Sequence, residues 1–283
     1  MWSEEGSQTQ RYWGAATVNN AVQEFHDYAS QDGILAPGFI DIYVGKNQRY
    51  GFATMTNQIF GPAMAIALGS GLTGNNYFIE PFGLLLSVFT PAQILILFMP
   101  DLFVGIKYHY SDRLTRLAYH EIAHASHFEN VNTSYWMELI AAEVAANGHG
   151  NQYSNDAGRI ALCESWAEHI GLTYAHRKYG NNYSINKTYE KKLEETRNET
   201  THHIPIGLYH DLFDPHIDDI LACDESSPSA CGLIDDQVSG FTFGHQFGLL
   251  TSTVETPNEF INNLKMGQSA AVQSKIQTLF NSY

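Results

Sequence analysis

The residues best equipped for chemistry stand together at His120-Glu121-Ile122-Ala123-His124. On an α-helix, positions i and i+4 share a face, so His120 and His124 can point the same way and hold one metal ion. Glu121 lies about 100° round the helix from His120, at the edge of that face. From there it can reach a water activated by the metal rather than the metal itself. Two imidazoles on zinc, with a glutamate taking a proton from water as general base, is the chemistry of zinc-dependent hydrolysis. With 13 histidines in 283 residues, chance placement yields about 0.04 such patterns. The bland alternative is a pair of solvated histidines on an amphipathic helix.

A tetrahedral catalytic zinc takes three protein ligands and leaves a fourth position for water. His127 extends the histidine face but lies about 10 Å along the axis from His120, too far for one ion on a straight helix. It is expected to act behind the ligands or toward substrate. Glu143, in Glu138-Leu-Ile-Ala-Ala-Glu143, is a second candidate, and Cys163 a third. The preferred ligand is Glu164, in Cys163-Glu164-Ser-Trp-Ala-Glu168-His169. Glu164 and Glu168 share a helical face that Gly171 and Ala175 continue, and small residues there let this helix pack close to the histidine helix. Glu164 would bind the metal while Glu168, one turn on, accepts the free ring N–H of a ligand histidine.

The elements that must carry these residues follow from periodicity and punctuation. Helical spacing runs from Trp13 to Ala29 and ends at Gly33; Phe39 to Val44, Tyr50 to Met55 and Leu102 to Tyr108 read as strands. Helices are expected from Ser111 or Asp112 as cap to Phe128, from Ser134 to Asn147, and from Asp156 to Tyr179. Tyr189 to Glu199 reads as a charged, solvated helical patch, and a last helix begins near Pro257. Phe82 to Met99 is the most apolar stretch, but Pro91 and three polar residues break it. Two buried elements suit it better than a membrane span. The whole reads as one α+β domain over 1–283, with a sheet-containing part (1–110) and a helical part carrying the metal site (111–283).

The formal charge of −15, from 15 basic and 30 acidic residues, argues against nucleic acid or an anionic membrane as partner. Hydrophobic residues at 44% are ample for a packed core, which excludes wholesale disorder. Three cysteines cannot make a four-cysteine metal site or a disulfide scaffold. Cys223 and Cys231 flank a short acidic loop and can close as a local disulfide, whereas Cys163 fits a buried thiol. The low charged fraction and many aromatics lean toward an extracellular or periplasmic protein, although residues 1–5 do not read as an export signal.

His120-Glu-Ile-Ala-His124 followed by Glu164-Ser-Trp-Ala-Glu168 resembles the gluzincin branch of the zincin metallopeptidases, over roughly residues 101–180. The resemblance implies a zincin-like fold, a small mixed sheet packed on the active-site helix, and a peptide or protein substrate. It also implies a Tyr or His donor to the oxyanion; Tyr209 and His210, in the cluster His202 to Asp211, are the candidates. Two departures stand out. The spacing from His124 to Glu164 is longer than in thermolysin-like members, and Asn130 occupies the place of the third histidine of metzincins. A second reading keeps the zinc but not the catalysis: a zinc-stabilised binding protein on the same scaffold.

Overall fold

The computed structural model describes residues 7–46, 50–59, 100–107, 110–180, 189–198, 203–216, 219–225 and 227–283. The apolar stretch Phe82 to Met99 lies outside them. Among the described residues, no helix is long and apolar enough to cross a membrane.

Helix α1 (Gln8–Asp32) starts where the Ser7 side chain accepts from the Gln10 amide, and stops at Gly33, whose φ of 72° is left-handed. Its buried stripe is Val18, Ala21, Phe25 and Ala29. Three short strands follow: β1 (Ile42–Gly45), β2 (Gly51–Ala53) and β3 (Leu102–Gly105). They lie in the order β1-β3-β2, with β1 parallel and β2 antiparallel to the central β3. Asp101, fully buried, ties this sheet at one end by accepting the backbone N–H groups of Asp41 and Gln58, each at 3.0 Å. The strands are shorter than the apolar patterns that announce them.

Helix α2 (Ser111–Asn130) carries the histidine motif across this sheet and also packs on α1. Its cap is Tyr110, without a side-chain bond; Ser111 and Asp112, expected as caps, already belong to the first turn. Helix α3 (Thr133–Ala146) is capped by Asn132, which accepts from the Tyr135 amide, and ends at left-handed Asn147. Helix α4 (Ala157–Tyr179) packs along α2 and supplies the largest share of buried side chains, Trp166, Ile170 and Tyr174 among them.

Helix α5 (Tyr189–Glu195) corrects the expectation of a solvated patch: Tyr189 and Leu193 are buried, so only one side faces water. Helix α6 (Leu208–Phe213) and the hairpin β4 (Asp219–Asp224) with β5 (Ser227–Asp235) follow. Cys223 and Cys231 are paired across the hairpin and joined by a disulfide. Helices α7 (Phe243–Leu249), α8 (Pro257–Lys265) and α9 (Ala270–Ser282) complete an α+β molecule.

The core between α4, α6 and α7 encloses His169 completely, within ring contact of Trp166, Tyr209 and Phe243. Neither ring nitrogen has a hydrogen-bond partner among the described residues. Burial, and then His210, hold its pKa well below the usual histidine value. The unfolded chain therefore binds a proton that the folded chain refuses. The stability from a neutral His169 is present above about pH 6.5 and is lost as pH falls below that toward the folded pKa. Urea titrations at pH 7 and pH 5 should show His169→Leu losing less stability over this interval than the parent; equal losses would remove His169 from the account.

Candidate metal centre

The site is built where α2 and α4 cross. Gly171 on α4 faces the backbone of His120: a methyl group there would stand 3.2 Å from His120 Cβ and 3.3 Å from its Cα. Only glycine lets the helices meet this closely without one of them giving way. One and two turns before Gly171, the same face of α4 carries Glu168 and Glu164.

Those two carboxylates grip His120 from both sides. Its Nε2 lies 3.3 Å from Glu164 Oε2, and its Nδ1 lies 3.3 Å from Glu168 Oε2. His124 Nε2 is 3.3 Å from Glu164 Oε1 and 3.2 Å from His120 Nε2. Two imidazole nitrogens and one carboxylate, from two helices, thus converge on one point, each nitrogen facing a different oxygen of the carboxylate. Nitrogen and oxygen ligands about 2.0–2.1 Å from a tetrahedral ion stand about 3.3 Å apart; the spacing of the two nitrogens and of each nitrogen from its nearer carboxylate oxygen is of that size, and one donor atom from each residue lies within 4.8 Å of the others. A second group, Glu194, His210 and Asp214, also gathers its donors within 4.8 Å. There, however, His210 Nε2 lies 2.8 Å from Glu194 Oε1, a hydrogen-bond length.

The electrostatics favour a cation among the first three donor groups. Burial opposes charge on His120, yet hydrogen bonds to Glu164 and then Glu168 push its pKa up to about 10. Glu164 is held well below the carboxylate range; burial opposes this, and His124, His149 and His120 override it. Glu168 is likewise held low against burial, first by Arg116 and then by Lys192. It contacts both, with Lys192 Nζ at 3.0 Å, and Lys192 reaches on to Glu225 at 3.0 Å. An ionised Glu168 fixes the His120 ring with Nδ1–H toward the carboxylate and Nε2 toward the other donors.

A pocket opens beside the donor groups, lined by strand β2, His120, Glu121, His124, Trp136, Leu139, Glu143, the Gly148-His149 turn and Glu164. Glu121 is buried, and its Oε2 has no partner among the described residues. Burial, reinforced by Glu164, pushes it up to about 8, although His120, His149 and Arg116 pull the other way. Strand β2 is held over α2 by Trp136, whose Nε1 donates to the Ala53 carbonyl at 3.3 Å while its ring lies against His124. Glu143 lines the pocket outside the donor set, its pKa pushed to about 7 by burial and by Glu164.

His149 is the pocket residue that the sequence reading overlooked. Its Nε2 lies 3.4 Å from Glu164 Oε2, presented by a turn with positive φ at Asn147, Gly148 and Gly150. Asn-Gly-His-Gly, a histidine between turn-forming residues just after a helix, was its available signal. Tyr209 and His210 lie elsewhere. Tyr209 is buried against Trp166 and Phe260, and its hydroxyl donates to the Leu162 carbonyl at 3.5 Å. His210 pairs with Glu194 and Asp214. His127 is sealed under Tyr135 and Trp136, facing neither metal donors nor pocket, and burial lowers its pKa to about 3. Cys163 is buried beside the Tyr135 hydroxyl at 3.5 Å. Asn130 closes the end of α2, donating to the carbonyls of Phe247 and Leu250 at 2.9 and 2.8 Å.

Compared with protein-family models, curated proteins and solved structures, the chain matches none of them.

Gly51 leaves room for Glu121: a methyl group on Gly51 would run into its carboxyl group. Gly51→Ala is therefore expected to cost about 1–3 kcal/mol in urea unfolding. The loss should shrink in a Glu121→Ala background; an equal loss in both backgrounds would show that the two residues do not compete for this space.

Proposed function

We propose that the protein is a zinc-dependent peptidase of zincin type, acting from the pocket between strand β2 and helices α2, α3 and α4. The observation that carries this reading is the convergence of His120 Nε2, His124 Nε2 and the Glu164 carboxylate, the nitrogens 3.2 Å apart and each 3.3 Å from one of its two oxygens, beside the buried oxygen of Glu121 that has no partner among the described residues. Two imidazoles and one carboxylate are a donor set suited to zinc, and three protein ligands leave one position open. Bound there, zinc would polarise a substrate carbonyl and acidify water.

The remaining work falls to the chain itself. Glu121, in a site that burial makes more basic than an exposed carboxylate, accepts a proton from the attacking water and returns it to the leaving amine. Glu168 keeps the Nδ1–H of His120 occupied and so holds the ring in register. The imidazole of His149, at the pocket rim, can donate a hydrogen bond to the oxygen on which negative charge develops. Strand β2 supports a peptide substrate: it lines the pocket on the outer side of the described sheet, where an extended chain can lie alongside. The Cys223–Cys231 disulfide supports an oxidising, extracellular or periplasmic setting.

Elemental analysis should find one zinc per chain in protein never exposed to chelator, and none in His124→Ala. Glu121→Gln should keep the zinc and lower kcat on a peptide library by about 100- to 10,000-fold. Undiminished turnover in that variant would refute the assignment. His149→Gln should lower kcat by about 100-fold or more while changing KM little, as befits a group that acts on the transition state.

A further inference from the structure

The pocket holds one carboxylate more than its chemistry uses. Of the residues that line it, Glu121, Glu143 and Glu164 are acidic, and none is lysine or arginine. A divalent ion would balance Glu164 and Glu121. Glu143 is then the remaining acid of the pocket: burial and Glu164 oppose its charge, and His124 and His149 offset them only in part. Its carboxylate makes no hydrogen bond or ion pair among the described residues, although it sits within electrostatic range of Glu164, His124, His149 and Glu121. A half-buried carboxylate beside two others is costly to ionise, and a cation that joins it relieves that cost. The neighbouring wall, Phe52, Trp136 and Leu139, is apolar and suits an alkyl stem.

We propose that Glu143 receives an ammonium group of the substrate, so that the enzyme selects peptides bearing a positive charge next to the scissile bond. This rests on the peptidase reading above. Two sources offer the same chemistry: a free N-terminal α-amine, or the side chain of lysine. The net charge of −15 would draw either toward the protein.

The test uses zinc-loaded full chain and four hydroxamate probes: lysine hydroxamate and norleucine hydroxamate, each with a free or an acetylated α-amine. Binding is read by calorimetry, and cleavage is read on the matching peptide pairs. One ammonium-bearing probe should bind about 10- to 100-fold more tightly than its neutral partner. That preference should collapse toward unity in Glu143→Gln, with zinc stoichiometry still one. Preference for a free α-amine identifies an aminopeptidase-like anchor; preference for lysine over norleucine identifies a side-chain pocket. Peptide cleavage with no charge preference, or with a preference that survives in Glu143→Gln, overturns the inference alone. A Glu143-dependent preference in a protein that cleaves no peptide upholds the ammonium site and refutes the peptidase reading.

Discussion

The centre depends on one close contact, the meeting of Gly171 with the backbone of His120. Because α4 comes so near to α2 at this point, the carboxylates before Gly171 arrive on either side of one imidazole. A larger residue would make the helices give way by a few tenths of an ångström. The donor set would open by a similar amount, which is large against the tolerance of a metal shell. Helix packing and ligand geometry are here the same constraint.

Around that contact the charges are graded. Glu164 and His124 lie innermost, Glu168 follows, and Arg116 with Lys192 stands outside, leading to Glu225 near the surface. The outer cations keep Glu168 ionised, and Glu168 in turn orients His120. Negative potential is thereby concentrated on the point where the donors can accept a cation. Trp136 links the same region to the sheet through Ala53, so pocket wall and ligand helix are positioned by one side chain.

Much of this arrangement was legible in sequence because it rests on local rules. The i, i+4 histidines, the shared face of Glu164 and Glu168, and the small Gly171 follow from helical periodicity, and the fold brings them together. The close α2–α4 packing needed only the further step of reading small residues as an approach surface. What sequence could not show was direction in three dimensions. Tyr209 and His210 stand in a segment rich in catalytic residue types, yet helix α6 turns Tyr209 into the core and His210 toward Glu194. His149 lies in a turn, where no periodicity reports which way a side chain points. Tyr189 to Glu199 reads as solvated because its charged residues outnumber the buried ones, Tyr189, Leu193, Thr196 and Asn198.

Asn130, in the position where a metzincin would carry its third histidine, has a different task. Its amide spans to the carbonyls of Phe247 and Leu250, 117 and 120 residues further along the chain. The helix that carries both histidines thus receives its terminal anchor only from a segment made much later, and its third donor from one made in between. Such distant contacts close slowly, since the intervening loop must lose its freedom before they form. During synthesis the histidine pair would emerge well before Glu164 and the segment that anchors its helix, so the three donor groups can converge only after most of the chain is made. The order in which the ribosome delivers these residues therefore delays assembly of the site.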